Sequence, residues 1–294
     1  MSEPIRAKKS LGQNFLTDPK IQQKIVAAIE PQPDDVLIEI GPGLGALTAH
    51  LIQTVSRLIA IELDDRFAEM LMADYGARTG FELIHRDVLA VNAEELELPT
   101  DYKVIGNIPY NITTPLIFHL LERDRRPGTV VLMVQREVAD RILARPGEKA
   151  YGALSVGVRA VADADRLFHV GRGAFRPTPN VDSTVLRITP HRPPRLSAGE
   201  EDDLRALTRA TFGWRRKQLQ KILRSAPLYG LDVAAVDGLA TRTGIDFRSR
   251  PEDLAPDDFI ALSRALRDLG LPGSEPAHEA VPHGARADGD DTRP

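Results

Sequence analysis

From Val36 onward the chain alternates short apolar runs with longer stretches of helical periodicity, and few folds accept that alternation. The runs are Val36–Ile40, Leu58–Ile61, Phe81–Ile84, Lys103–Ile105 and Thr129–Val134, and each gap is long enough for a crossover helix. The pattern predicts a parallel sheet with helices on both faces. Two later runs, Leu167–Val170 and Ser183–Ile188, read as strands around a proline-rich loop, and His191–Gly199 (HRPPRLSAG) reads as a linker. Beyond it, Glu200–Gly270 carries apolar residues at helical spacing and cap signals such as Pro256-Asp257-Asp258. The expected organisation is an α/β domain over 1–190, a linker over 191–199, a small helical domain over 200–270 and a disordered acidic tail over 271–294.

Composition narrows the functional classes. No run of about 18 apolar residues is present, and Met1–Ser10 is charged without an apolar core, which argues against a membrane span or secretory signal and for a cytoplasmic address. The chain has no cysteine, and its seven histidines lack a ligand-like spacing, so no metal centre is expected. The formal charge of −4 is unevenly spread, because Ser274–Pro294 alone holds five acids against two arginines. In contrast Arg205–Arg224 (RALTRATFGWRRKQLQKILR) holds seven basic residues and no acid. A solvated helix face would interleave the two signs, so this run reads as a polyanion-binding face, with plain solvation as the alternative.

The first strand runs directly into Gly41-Pro42-Gly43-Leu44-Gly45, and a helical pattern follows. Glycines at that point let the backbone turn tightly and approach a ligand, at the place where open α/β sheets bind small molecules. Taken alone, the spacing could also be a tight strand-to-helix turn. Glu62 ends the second strand, where a carboxylate can accept both hydroxyls of a ribose, and Asp87 ends the third, where it can accept from an adenine amino group. The third glycine comes one position too early for a dinucleotide fingerprint. The pattern fits better a nucleoside cofactor without phosphate, S-adenosylmethionine, than a nicotinamide.

The fourth strand ends in Asn107-Ile108-Pro109-Tyr110. An aromatic amino nitrogen is a poor nucleophile because its lone pair is conjugated into the ring. If the Asn107 side-chain oxygen and the Ile108 carbonyl each accept one of its N–H bonds, the nitrogen is drawn toward tetrahedral geometry and the lone pair is released. Pro109 supplies a fixed bend, and Tyr110 can stack on the base and aim it. The plainer alternative is a strand-terminal turn with a packed tyrosine.

Six segments in this order complete a signature: KSLGQNFL (Lys9–Leu16), IEIGPGLGALT (Ile38–Thr48), IELD (Ile61–Asp64), RDVL (Arg86–Leu89), GNIPYNITTPL (Gly106–Leu116) and FRPTPNVDS (Phe175–Ser183). Together with RRKQL and RPEDL they resemble the bacterial small-subunit ribosomal RNA adenine dimethyltransferases, the kasugamycin-sensitivity enzymes, over about Lys8–Leu269. The resemblance implies a class I methyltransferase (Rossmann-like) fold, a mostly parallel seven-stranded sheet with a second, small α-helical domain, and S-adenosylmethionine as cofactor. It implies that Gln13, Asn14 and Leu16 close over the cofactor, that Gly41 and Gly43 form its floor, that Glu62 and Asp87 hold ribose and adenine, and that Asn107 touches both cofactor and target. Phe175 is implied to face the target base opposite Tyr110, with a plug at the domain seam as its plainer role. Arg215, Arg216, Lys217 and Lys221 would grip RNA. The implied reaction is N6,N6-dimethylation of two adjacent adenines in a hairpin loop near the 3′ end of 16S ribosomal RNA within an assembling small subunit, by a monomer. Two alternatives stand beside it: the macrolide-resistance type, which dimethylates large-subunit RNA, and a non-catalytic RNA-binding assembly factor that kept the fold.

Overall fold

The computed structural model describes residues 13–110, 112–121 and 125–271. The start of KSLGQNFL, Asn111 and all but the first residue of the expected acidic tail lie outside the described residues. In chain order the strands are β1 (Phe15–Leu16), β2 (Val36–Ile40), β3 (Arg57–Glu62), β4 (Phe81–His85), β5 (Lys103–Asn107), β6 (Thr129–Gln135), β7 (Ala162–Val170), β8 (Phe175–Arg176) and β9 (Ser183–Pro190). The helices are α1 (Pro19–Ala28), α2 (Thr48–Leu51), α3 (Asp65–Tyr75), α4 (Thr113–Leu121), α5 (Arg136–Leu143), α6 (Ala153–Val161), α7 (Ala198–Gly213), α8 (Leu219–Ser225), α9 (Val233–Thr243) and α10 (Pro256–Asp268).

Seven strands form one sheet in the order β4-β3-β2-β5-β6-β9-β7, and only the β6–β9 and β9–β7 pairings are antiparallel. The five early runs are thus the parallel strands that the alternation predicts. Along them successive side chains enter opposite layers, as strand geometry requires. Ile38, Ile59, Ile61, Val104 and Leu132 join one core, whereas Leu37, Leu58, Ala60, Ile105 and Met133 join the other. The strand order reverses between β2 and β5, and this switch point leaves a crevice at the carboxyl ends of the strands.

Local chemistry sets the helix boundaries that matter for the crevice. Asp18 caps α1 by accepting from the Lys20 and Ile21 amides at 2.9 and 3.3 Å, with Pro19 in the first turn. Asp64 caps α3 by accepting from the Arg66 amide, which places the β3 tip directly against a helix N-terminus. Ser197 and Glu200 form a reciprocal capping box, so α7 begins at Ala198 and the last residues of the expected linker belong to the helix.

Strand β7 is longer than the expected Leu167–Val170 and starts at Ala162. Its first half is polar, with Asp163, Asp165 and Arg166 exposed, because it is a sheet edge and its composition carries no apolar run. Strands β1 and β8 were absent from the sequence expectation, since two residues leave no period to read. The helical region packs on α6 directly, and one core runs from Ile38 and Leu132 through Leu154 and Val158 to Leu204, Leu207 and Phe259. Tyr151 adds a polar pin across this seam, its hydroxyl donating to the Leu254 carbonyl at 2.8 Å. No helix among the described residues is long and apolar enough to cross a membrane.

Candidate active site

The tips of β2, β3, β4 and β5 converge on one pocket. It is lined by the glycine turn, Glu62, Asp87 and Asn107, and closed from above by Gln13–Leu16. All eight residues expected to hold the cofactor, Gln13, Asn14, Leu16, Gly41, Gly43, Glu62, Asp87 and Asn107, line this single cavity.

The turn after β2 depends on its glycines, since Gly41 has φ +64° and Gly43 has φ +55°, a region that side chains rarely adopt. Its geometry is tied to the second acid. Glu62, almost wholly buried, accepts from the Gly43 amide at 3.0 Å through one carboxylate oxygen and from the Leu63 and Asp64 amides at 2.9 and 2.8 Å through the other. Three amides fix the carboxylate; one oxygen accepts twice and is filled, so the oxygen that meets the Gly43 amide is the one that keeps a lone pair, enough for one hydroxyl rather than the pair expected from the sequence. Asp87 is exposed and uses one oxygen to accept from the Leu89 amide at 2.9 Å.

A third acid was missed in the sequence reading. Glu39 is 1% exposed, lines the same pocket, and accepts from the Thr48 hydroxyl at 2.7 Å. Burial pushes its carboxyl up to about 7, opposed by the Thr48 bonds and assisted by the negative charge of Glu62. In IEIGPG it looked like one polar residue in an apolar strand, and that mismatch was the available signal.

The lid over the pocket is held by side-chain bonds from two motifs. Gln13 donates to Asp64 at 2.9 Å, and Asp64 is also gripped by Arg66 at 2.7 and 2.9 Å, whose guanidinium holds the buried carboxyl well below the usual range. Phe15 stacks edge-on against Phe67 with ring centres 5.3 Å apart, and both rings line the cavity. The Asn107 side-chain nitrogen donates to the Asn14 carbonyl at 3.2 Å. With the nitrogen so engaged, the amide oxygen is the atom left to accept, as an amino-group clamp requires. Gly106, one residue earlier, has no room for a side chain, since a Cβ there would lie 2.6 Å from the Ile108 side chain and 2.9 Å from the Ile40 carbonyl. The clamp strand therefore packs tightly against β2. Ile108 is buried in the core and Pro109 bends the chain at the pocket wall.

Tyr110 lines the cavity, and its hydroxyl lies 3.1 Å from the Ser183 hydroxyl. Burial raises its phenol, with the Ser183 bond acting the other way. The hydroxyl thus orients the ring by joining the NIPY turn to the end of FRPTPNVDS. Phe175 needs a correction. It was expected to face the target base, but it is fully buried, pairs with Leu16 across the β1–β8 ribbon, and packs with Leu16, Val170 and Val185 in the second core. A ring without accessible surface cannot stack on a base in this arrangement, and Phe175 instead ties the lid segment to the late strands.

The basic run divides in the same way. Arg215 is not free for a phosphate, because it pairs with Glu252 at 2.5 Å and donates to the Lys149 and Glu148 carbonyls at 2.9 and 3.3 Å. It clasps RRKQL to RPEDL and to the α5–α6 loop. Arg216, Lys217 and Lys221 are exposed.

A doubly wound sheet with acids at the second and third strand tips and an antiparallel final hairpin defines a class I methyltransferase. Comparison with known proteins narrows this further. The chain belongs to the family described as ribosomal RNA adenine dimethylase, whose model matches residues 5–267. It is 41% identical to ribosomal RNA small subunit methyltransferase A of Geobacter metallireducens over 271 residues, which covers 91% of this chain and 98% of that one. The protein of the same name from Ligilactobacillus salivarius is 40% identical over 272 residues, covering 90% and 91%. Among solved structures, a dimethyladenosine transferase from Plasmodium falciparum superposes with a TM-score of 0.72 at 26% identity, covering 87% of this chain and 98% of that one. The 23S rRNA methyltransferase ErmE superposes at 0.65 and 25% identity, covering 86% and 100%.

Proposed function

We propose that this chain dimethylates N6 of two adjacent adenines in a hairpin loop near the 3′ end of small-subunit ribosomal RNA, using S-adenosylmethionine. The observation that carries the reading is the orientation of Asn107, whose nitrogen is committed to the Asn14 carbonyl so that its oxygen is the acceptor at the β5 tip. The donor set of the pocket suits this cofactor. Glu62 keeps a lone pair on its Gly43-facing oxygen for a ribose hydroxyl, Asp87 has a second oxygen for an adenine amino group, and Glu39 is a buried carboxyl beside which positive charge is favoured. When bound, the cofactor supplies an electrophilic methyl carbon on a cationic sulfur.

The residues of the chain then act on the target amine. The Asn107 oxygen and the Ile108 carbonyl accept its two N–H bonds, which favours the pyramidal nitrogen of the transition state over the planar ground state. Tyr110, fixed through Ser183, offers a ring face to the base. A loop adenine enters with little unstacking, which suits a hairpin target. Each transfer places a methyl carbon on the nitrogen and releases one N–H proton to solvent, so after the first the amine keeps one N–H and the second depends more heavily on whichever acceptor it meets. The relatives named for the small subunit exceed ErmE in identity, which favours 16S over large-subunit RNA as the substrate.

The test is to incubate the chain with labelled S-adenosylmethionine and undermethylated small subunits and to map the modified nucleotides. Two adjacent N6,N6-dimethyladenines are expected. Methylation confined to large-subunit RNA would move the chain to the macrolide-resistance reaction, and no transfer to either RNA would leave it a binding factor.

A further inference from the structure

Trp214 is the one tryptophan of the chain and, at 42% exposure, the one exposed side chain among the phenylalanines, tyrosines and tryptophan of the described residues, the others being buried or half-buried. It caps α7, donating its amide to the Thr211 carbonyl at 3.1 Å, and its own carbonyl accepts from the Lys217 amide at 2.8 Å. The four residues Trp214–Lys217 are therefore a closed turn. Arg215 roots that turn in the seam through Glu252, Glu148 and Lys149, which leaves Trp214, Arg216 and Lys217 exposed to solvent. An indole held out on a rooted turn forfeits burial worth a large apolar area.

The charge around it is unbalanced, and that distinguishes this corner from the rest of the helical region. There Arg195 pairs with Asp257, Arg242 with Asp268, Arg264 with Glu200 and Arg267 with Asp203. Among the described residues Arg216, Lys217, Lys221 and Arg224 form no ion pair and all four are exposed; Asp232 lines the cleft that Lys221 and Arg224 share, which leaves Arg216 and Lys217, the two beside Trp214 in the turn, as the unneutralised pair. An aromatic face amid unneutralised cations is the composition that holds an unpaired nucleotide, the ring taking the base and the cations the flanking phosphates. Arg215 also lines a groove of about 970 Å³ whose walls mix cations (Lys149, Arg141, Arg136, Arg172) with the acids Glu137, Asp140 and Asp182, the last next in sequence to the Ser183 that anchors Tyr110.

We propose that Trp214 stacks on an unpaired base of the RNA substrate outside the target loop, with Arg216 and Lys217 on the adjoining phosphates. This rests on the RNA methyltransferase reading above. The experiment compares the full chain with Trp214→Ala, Trp214→Leu and Trp214→Phe in binding to undermethylated small subunits, alongside methyl transfer and the tryptophan fluorescence lifetime of the unsubstituted chain. Stacking predicts that the alanine and leucine variants each bind about 5- to 100-fold more weakly, that the phenylalanine variant recovers most of the loss, and that the bound indole has a shortened lifetime. Cofactor affinity should be unchanged in all three. If the leucine variant binds as tightly as the unsubstituted chain, the contact is apolar rather than stacked and the proposal fails. An unaltered lifetime at saturation, with methyl transfer proceeding normally, would overturn the stacking role and leave the enzymatic reading standing. Absence of both binding and transfer in the unsubstituted chain would overturn both.

Discussion

Replacing Glu39 by glutamine tests the electrostatics of the pocket without altering its shape. Glu39 is fully buried, and its carboxyl is moved from an ordinary 4.5 to about 7, first by burial and then by Glu62, against the Thr48 bonds. A folded-state value above the unfolded one means that the folded chain binds more protons. The stabilisation is therefore complete below about 4.5 and is lost as pH rises through 7. A shift of that size corresponds to about 3 kcal/mol, of which roughly 2.5 kcal/mol falls between about pH 5 and 8. The substituted amide keeps an acceptor for Thr48 and cannot ionise. Denaturant unfolding of both chains should give similar stabilities near pH 5, and the Glu39→Gln chain should be more stable by about 2 to 3 kcal/mol near pH 8. Using the difference cancels carboxylates such as Asp64, whose depressed value acts in the opposite sense and only in acid. A difference that stays flat across this range would show that Glu39 titrates normally and that the pocket floor is hydrated. The same group couples to ligand binding: near pH 7 about half of the chains carry this proton, so a cationic cofactor should expel about half a proton. Calorimetry in buffers of different ionisation enthalpy reads that number.

Three further outcomes follow from the contacts. Glu62→Gln should weaken S-adenosylmethionine binding by about 1 to 3 kcal/mol in calorimetry, because the carboxylate that three amides orient becomes a group that must also place two N–H donors. Asn107→Ala should lower single-turnover methyl transfer at saturating cofactor by a factor on the order of 10² while RNA affinity holds, and survivors should accumulate monomethyladenine; Tyr110→Phe, which loses the Ser183 bond but keeps the ring, should be far milder than Tyr110→Ala. Arg215→Ala should cost about 1 to 3 kcal/mol of stability through its three seam bonds with the salt dependence of RNA binding intact, whereas reversing Arg216 and Lys217 to glutamate should flatten that dependence and spare cofactor binding.

What the sequence disclosed and what it concealed follow one physical distinction. The parallel strands were readable because burial on both faces makes each a continuous apolar run, and the gathering of the proposed cofactor residues in one pocket because strand tips bring together positions far apart in the chain at a predictable edge. Glu62, Asp87 and Asn107 come from three different strand ends, yet each could be placed from its own run. Side-chain partners had no such signature. Nothing in RRKQL separates an arginine that clasps Glu252 from one that faces solvent, and nothing in FRPTP says that Phe175 pairs with Leu16, far earlier in the chain. Glu39 is the intermediate case, a charge inside an apolar strand whose purpose emerges only when Thr48 and Glu62 are seen around it.

The contacts hidden from the sequence run from one motif to another. The N-terminal segment and FRPTP pair with each other as β1 and β8, Asn14 orients Asn107, and Ser183 orients Tyr110, so the first and sixth motifs both act on the fifth. RRKQL and RPEDL likewise act on each other through Arg215 and Glu252. Residues taken singly as ligand contacts are therefore partly a scaffold that fixes a few atoms, chiefly the Asn107 oxygen and the Tyr110 ring, where an amino group would arrive. A clamp built on one short turn would be too loose for chemistry that depends on the line of approach to a methyl carbon. Distant segments bonded to that turn supply the stiffness, and this is why the motifs occur as a set.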